Sequence, residues 1–501
     1  MLAAVDAGTT GARALAYDLT GRLVAEVRRA YQTRSPRPGW AEQDAQDWAQ
    51  SAVAALRGLA ARTRSAGQIC AIGLTGQCPT MVVTDADGRP LRAGMLYRDN
   101  RAVAQAQQMR DRIGDQAMHK RTGHLPEAFH VGPKLLWLRR HEPDVFAKTR
   151  LVLQPRDVVL HRLAGVAATD ETHANSTLFF GLRERQWDQY LLSAFDVDPA
   201  LFPAVLPPWA RAAELPGQAA TELGLQPGIP IVIGSADSQC AAFGAGVTEP
   251  GPVSEMAGAS SCLNSAVLSP LADVHVTHYS HVVPDRFCTE LGVNTTGAAV
   301  SWALRALGYA SFDALVADAE LFRRRLQRGV RGSRPTDAAD AAPLFLPYLG
   351  DGERDDPTVR AGFIGLSDRH DRPALGFAVI EGVALGVQAV LAVLERADAP
   401  LTQLRVGGGG ARIALAGQLK AELLGQPVLH LDMDPAGFGA AMLAAKAAGL
   451  ADEADAAVSS LLRRARRFDP TRWGSEFERD RAAWFHQVRQ SAAVHSPRES
   501  S

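Results

Sequence analysis

Three apolar runs in this chain read as strands, and each ends in a turn of glycine with small or hydroxyl residues. Residues 2–5 run into Asp6-Ala7-Gly8-Thr9-Thr10-Gly11. A second run ends at Met256-Ala257-Gly258-Ala259-Ser260, and Leu404-Arg405-Val406 leads into Gly407-Gly408-Gly409-Gly410-Ala411. Such turns expose backbone N–H groups, and successive N–H groups can form an anion-binding concavity. One turn opens the chain and the others follow Asp237, so the pattern predicts two similar domains clasping one ligand. A length of 501 residues agrees, because one hydrophobic core rarely fills so long a chain.

Each motif also has a plainer reading. Residues 6–11 suit a polar hairpin turn after the first strand, and strands at 12–18 and 22–27 are joined by a second hairpin turn at Leu19-Thr20-Gly21. Asp237 follows the apolar Ile231-Val232-Ile233, whose strand is expected to end at Gly234-Ser235. An acid there can be a base facing a phosphate, or only a turn or helix-cap residue. The run of four glycines suits a ring lying against the backbone, or a flexible loop.

Elsewhere the pattern predicts a helix over 39–61, a strand over 69–74 and helices over 133–142 and 154–165. After the second strand, Gln77-Cys78-Pro79-Thr80 forms a polar turn whose glutamine can both donate and accept hydrogen bonds. Tyr97-Arg98-Asp99-Asn100-Arg101 could hold a sugar or begin an exposed helix. Asn294-Thr295-Thr296-Gly297 opens a helix over 298–307, another place for a phosphate. The helix from Pro373 to Leu394 carries Ile380, Val383, Val387 and Leu394 on one face, and Glu381 with Gln388 argues against a membrane span.

Several classes are disfavoured. A net charge of −1 gives no support for nucleic acid or an anionic membrane as partner. The first residues do not read as a signal peptide, so a cytoplasmic chain is expected. Five scattered cysteines, Cys70, Cys78, Cys240, Cys262 and Cys288, suit reduced thiols better than a zinc site. No Gly-Lys pair, G-x-S-x-G elbow or full dinucleotide fingerprint occurs. Arg156-Asp157 looks like a protein-kinase catalytic loop but lacks the asparagine that should follow, so it reads as a decoy.

With these pieces in order, the chain resembles the FGGY carbohydrate kinases of the sugar kinase, actin and Hsp70-like superfamily. The blocks that carry the resemblance are VDAGTTGAR, AIGLTGQ, YRDNR, PKLLWL, IVIGSADSQCAAFGAG, the GAS turn, LFLPYLGDGERDDPTVRAGFIGL, AVIEGVALG, VGGGGARIALAGQLKAELLGQPV and DPAGFGAAMLAA. Among members the chain looks most like xylulokinases. The resemblance implies an α/β fold of two ribonuclease H-like domains around an ATP and sugar cleft. The expected limits are 1–242 for the sugar side, 243–490 for the nucleotide side and 491–501 for a disordered tail.

The resemblance also implies roles. Asp237 matches the catalytic base and, with Gln77, Cys78 and Asp99, the sugar site. Thr9, Thr10, Arg13, Gly258, Ser260, Gly297, Gly409, Gly410 and Ala411 match ATP-binding positions. Asp6 matches the acid near Mg²⁺, held through water. The cofactors implied are ATP and Mg²⁺, and the partner is a small sugar or polyol; a homodimer is compatible. Three positions depart from the pattern. Cys78-Pro79-Thr80 stands where xylulokinases carry Met-His-Gly, Ser238 where many relatives have asparagine, and Ala259 where threonine is usual. The implied reaction is ATP-dependent phosphorylation of a ketopentose such as D-xylulose, or of another ketose, sugar alcohol or aldonate. A sugar-binding sensor without catalysis is the rival of another class, although a sensor needs no base at Asp237.

Overall fold

The computed structural model describes residues 1–329, 342–350, 352–353 and 358–495. They form two compact units, each assembled from separated segments. Unit 1 comprises Met1–Thr248, Ala266–Thr289 and Asp434–Arg463; unit 2 comprises Glu249–Ser265, Glu290–Met433 and Arg464–Ser501. The sequence reading drew a single crossing at 242/243. The added segment of unit 1 has a packing reason. The helix Pro435–Ala447 lies on the helix Asp237–Gly244 through facing glycines, where a Cβ on Gly439 would sit 1.8 Å from the Cys240 carbonyl oxygen.

Unit 1 is built on a mixed six-stranded sheet. Its order is Arg211–Glu214, Pro230–Ala236, Ala71–Gly76, Leu2–Ala7, Gly11–Tyr17 and Leu23–Ala30. The strand Ala71–Gly76 pairs in parallel with both Leu2–Ala7 and Pro230–Ala236. Leu2–Ala7, Gly11–Tyr17 and Leu23–Ala30 are antiparallel, as the hairpin reading expects. Every residue of Leu2–Ala7 and Ala71–Gly76 is buried, which explains their apolar and small composition apart from Asp6 and Thr75.

The helix expected over 39–61 is Ala45–Thr63. Asp44 caps it by accepting from the Gln46 amide, and Glu42–Gln43 is instead a short strand paired with Gly94–Met95. Trp48, Ala52, Leu56 and Leu59 form its buried stripe. A second correction concerns residue 234. The strand Pro230–Ala236 does not end at Gly234-Ser235; Gly234 sits at φ 65° in a bulge where the register shifts between Val232 and Ser235. A Cβ there would lie 1.7 Å from the Leu74 carbonyl oxygen, so glycine serves close passage of the neighbouring strand, not a turn.

Unit 2 repeats the local plan. The strands Gly251–Ala257 and Ser261–Val267 make an antiparallel hairpin, and Gly251–Ala257 pairs in parallel with Leu401–Gly407, itself parallel to Val428–His430. The helix Arg372–Arg396 is long and apolar enough to cross a membrane, yet 78% of its most apolar window is buried inside the protein. Glu381 on that helix is fully buried and ion-paired with Arg481 from the helix Arg472–His495. That last helix, anchored by Phe477, Arg481 and Phe485, enters the segment expected to be a disordered tail and runs to His495. Residues 496–501 and most of the polar loop at 350–357 lie outside the described residues.

Candidate active site

Register across three neighbouring strands of unit 1 places the site. Ala7 pairs with Gly76, and Gly76 pairs with Ala236. Gly8, Gln77 and Asp237 therefore leave the same sheet edge side by side, on parallel strands about 4.8 Å apart. Ligands of α/β proteins bind beyond such carboxyl-terminal strand ends.

The first of these exits is the turn at residues 8–10, and it is pinned from behind. The Tyr31 hydroxyl and the Gln77 amide, the latter at 3.3 Å, donate to the Gly8 carbonyl, and the Gln43 amide donates to the Thr9 carbonyl at 2.7 Å. The N–H groups of Gly8, Thr9 and Thr10 donate to nothing among the described residues. Arg28 donates to the Thr10 hydroxyl at 2.6 Å. Carbonyls held inward and amides left open are what an anion requires of a turn.

Asp6 lies one step inside. Arg13 donates to its Oδ2 at 2.6 Å and also to Oδ2 of Asp434 at 2.5 Å. Oδ1 of Asp6 is buried and has no partner among the described residues, so the residue fits a hydrated divalent cation: one carboxylate oxygen is anchored and the other is available. Burial pushes the Asp6 carboxyl above its ordinary range, against the opposing pull of Arg13.

Asp237 opens the helix Asp237–Gly244, and its Oδ1 accepts from the Ser238 amide at 2.8 Å. The strand end that carries it is fixed by the pair set aside as a decoy. Arg156, fully buried, donates to the Ile233 carbonyl at 2.7 Å and ion-pairs with Asp157 at 2.6 Å and Asp170 at 3.1 Å. Ser235 donates to Asp170 at 2.9 Å, and Thr75 donates to the Ser235 carbonyl at 2.9 Å. Burial opposes ionisation of Asp170, but Arg156 and His173 hold its carboxyl well below the usual carboxylate range.

The residues assigned to the sugar separate into two kinds. Gln77 is buried and donates to Gly8 and Gln43 while accepting from Thr80. Asp99 is fully buried and accepts from Arg101 at 2.7 Å and from the Ala41 amide at 2.7 Å. Arg101 lies 3.6 Å from the centroid of the Trp40 ring. Lys134 stands behind this segment, donating to the Leu96 and Phe129 carbonyls at 2.7 and 2.6 Å, and burial pushes its pKa down to about 7. Cys78 is half-buried, while Tyr97 and Arg98 are exposed.

Unit 2 carries the second turn. Met256 is in register with Gly407, so the turn at 258–260 and the glycine run emerge at one sheet edge. The amides of Gly297 and Thr296 donate to the Gly258 and Ala259 carbonyls at 3.1 and 3.0 Å. The N–H groups of Ala259 and Ser260 donate to nothing among the described residues, and both residues are exposed. Behind the turn the Ser261 hydroxyl donates to Glu255 at 2.9 Å and lies 3.1 Å from the Thr296 hydroxyl, and Lys420 closes a buried ion pair with Glu255 at 2.6 Å. Asn294, just before the Gly297 helix, donates through its amide N–H to Glu353 at 3.0 Å. The glycine run is a short 3₁₀ turn, Gly409–Arg412, followed by the helix Ala414–Leu424, so the helix does not open directly from it as expected. A Cβ on Gly410 would lie 2.5 Å from that of Ala257, which leaves no room there for a larger residue.

The structure thus pairs Asp6 with Arg13, joins the turn at residues 8–10 to Gln77 through Tyr31 and Gln43, and links Gly258, Ser260 and Gly297 in unit 2, with Gly409, Gly410 and Ala411 beside them. Tyr31, Gln43, Asp434, Glu255 and Glu353 were not foreseen. Their only sequence signal was polarity beside a structured block.

The chain is similar to known proteins over most of its length. The FGGY family of carbohydrate kinases matches through its N-terminal domain over residues 1–244 and its C-terminal domain over residues 254–448. A xylulose kinase of Escherichia coli is 28% identical over 461 residues, 89% of this chain and 90% of that protein. A glycerol kinase of Leptothrix cholodnii is 31% identical over 98% of this chain and 99% of its own. The crystal structure of a xylulose kinase from Rhodospirillum rubrum superposes with a TM-score of 0.86 at 28% identity, covering 98% of each chain. With both domain types matched in order, this chain belongs to the FGGY family of carbohydrate kinases.

Proposed function

We propose that the chain phosphorylates a hydroxyl group of a ketopentose, D-xylulose first among candidates, with Asp237 as general base. FGGY sugar kinases use ATP, normally with Mg²⁺. The observation that carries the reading is the shared sheet edge. It sets a carboxylate, Asp237, two strands away from a turn with open amides and a cation-ready acid.

In this reading Asp237 takes the proton of the sugar hydroxyl as its oxygen bonds to the γ-phosphorus, and ADP departs with the electrons of the broken P–O bond. In unit 1 the amides of residues 8–10 are open to phosphate oxygens, supported by the hydroxyls of Thr9 and Thr10; in unit 2 the amides of Ala259 and Ser260, with the Ser260 hydroxyl, offer a second such turn. Gly297 backs the second turn, and Gly409, Gly410 and Ala411 offer a flat backbone to adenosine. Asp6, oriented by Arg13, would hold Mg²⁺, which supplies charge neutralisation on the phosphates. Phosphoryl transfer demands mainly positioning and charge stabilisation, and these groups provide both. General-base assistance contributes about 10²- to 10⁴-fold.

A second reading is a kinase of another ketose, sugar alcohol or aldonate. Two observations favour it: Cys78-Pro79-Thr80 in the turn beside Asp237, and 31% identity to a glycerol kinase over nearly the whole chain. The test is coupled ADP release with Mg-ATP over a panel of ketoses, aldoses, polyols and aldonates. Turnover with D-xylulose well above the others supports the first reading, and a different winner supports the second. ATP binding without turnover on any member would overturn both.

A further inference from the structure

We infer that Gln77 and Gln43, with Tyr31, are positioning residues for the phosphate turn at residues 8–10, and that Gln77 acts on the triphosphate and not on the sugar. The inference rests on the proposed role of that turn and goes beyond it by naming what sets its geometry.

The three side chains reach the turn from different parts of unit 1 and converge on consecutive carbonyls. Tyr31 and Gln77 donate to Gly8, and Gln43 donates to Thr9. A peptide carbonyl and the following N–H point in opposite directions because the peptide unit is planar. Fixing the Gly8 carbonyl inward therefore turns the Thr9 N–H outward, and fixing the Thr9 carbonyl does the same for Thr10. Those are the amides that lack partners among the described residues.

The donors are themselves locked. The Gln43 Oε1 accepts from Trp48 Nε1 at 2.8 Å and from Gln77 Nε2 at 3.1 Å, so its Nε2 has to face Thr9 and the Thr33 hydroxyl. The Gln77 Oε1 accepts from Thr80 at 3.3 Å, which directs its Nε2 towards Gly8. Both glutamines are about 1% exposed, and none of their amide atoms is an unpartnered buried group. Both Nε2 hydrogens of Gln77 are thus spent inside the fold, and it has no donor left for a sugar hydroxyl.

The test uses the full chain with Gln77→Met, which removes the donor at similar length, and Tyr31→Phe, which removes one hydroxyl and leaves the ring. Binding of AMP-PNP with Mg²⁺ and of adenosine is measured for each by calorimetry, together with KM for the best acceptor of the panel. Losing the orientation of phosphate-facing N–H groups should weaken AMP-PNP by at least about tenfold, the scale of one hydrogen bond to a charged group. Adenosine, which has no phosphate, should bind as before, and KM for the acceptor should stay within about twofold of its original value. General damage to the fold would weaken AMP-PNP and adenosine alike. A raised acceptor KM with unchanged AMP-PNP affinity would overturn the inference and return Gln77 to the sugar. If Gln77→Met does not fold, Tyr31→Phe decides alone: unchanged AMP-PNP affinity overturns the assignment. The unsubstituted chain is the control for the proposed function, since its failure to bind AMP-PNP more tightly than adenosine would refute the phosphate turn itself.

Discussion

Replacing Gly439 by alanine should disable the enzyme without touching any group that meets substrate. The added Cβ would fall 1.8 Å from the Cys240 carbonyl oxygen and 2.9 Å from the Gly244 nitrogen, both backbone atoms that cannot rotate away. Relief to even 3.0 Å requires the helices Pro435–Ala447 and Asp237–Gly244 to part by about 1.2 Å. The first carries Asp434 at its N-cap, bonded to Arg13, and the second begins at Asp237. A 1 Å misplacement of a reacting group costs roughly 10²-fold in rate. Overpacking of this kind costs about 1–3 kcal/mol of stability. The assay is kcat by coupled ADP release at saturating acceptor and ATP, with the thermal midpoint measured on the same sample. Gly217, which opens the helix Gly217–Leu223 with open space where a Cβ would stand, is the control, and Gly217→Ala should leave both quantities unchanged. A Gly439→Ala protein with kcat within about twofold of the original and an unmoved midpoint would refute the claim that the helix contact sets the position of Asp237, the proposed base.

Asp237→Asn retains an oxygen able to accept from Ser238, so it should bind AMP-PNP and acceptor normally while kcat falls by at least about a hundredfold; near-normal turnover would remove Asp237 from the role. Asp6, raised by burial, should protonate at a higher pH than an ordinary carboxylate, so the Mg²⁺ concentration for half-maximal rate should climb as pH falls through that raised pKa. A raised folded-state pKa means the stability it contributes is present at low pH and lost as pH rises. Asp6→Asn should therefore not lower the thermal midpoint of the metal-free protein at neutral pH, while activity drops; a lowered midpoint would refute the sign. Arg481→Leu should destabilise unit 2 by about 3–5 kcal/mol, because it leaves the fully buried Glu381 unpaired, and adding Glu381→Leu should recover most of that loss in denaturant titration.

The strand-to-glycine turns were legible because burial on both faces and close backbone approach each leave a compositional mark. Residues 2–5 and the GAS turn were placed within two residues of the structure, and 404–406 falls inside the strand Leu401–Gly407. Two local readings failed for tertiary reasons. Gly234 looks like a turn residue, but the Leu74 carbonyl passing beneath it requires a bulge and the strand continues. The helix expected from 39 starts at 45 because Glu42 and Gln43 pair with Gly94–Met95, a partner no local window contains. The discontinuous make-up of unit 1 was illegible for the same reason: DPAGFGAAMLAA announces a helix, and only the facing Gly244 shows what it packs on.

At the site, residue type marked position more faithfully than role. Polar residues in the turn after the second strand and in YRDNR suit a sugar, and burial separates those side chains into two kinds. Gln77 and Asp99 spend their hydrogen bonds on the protein, while Cys78, Tyr97 and Arg98 keep surface. Discrimination among polyols depends on groups that can reach a hydroxyl and lose a partner when it is missing. A residue whose bonds are closed within the fold can only move such groups. The departure from the xylulokinase pattern lies at Cys78-Pro79-Thr80, beside Asp237 at the same sheet edge, and the half-buried Cys78 is the member of that turn left with surface. Acceptor preference should accordingly follow substitutions at Cys78, whereas those at Gln77 should follow the nucleotide.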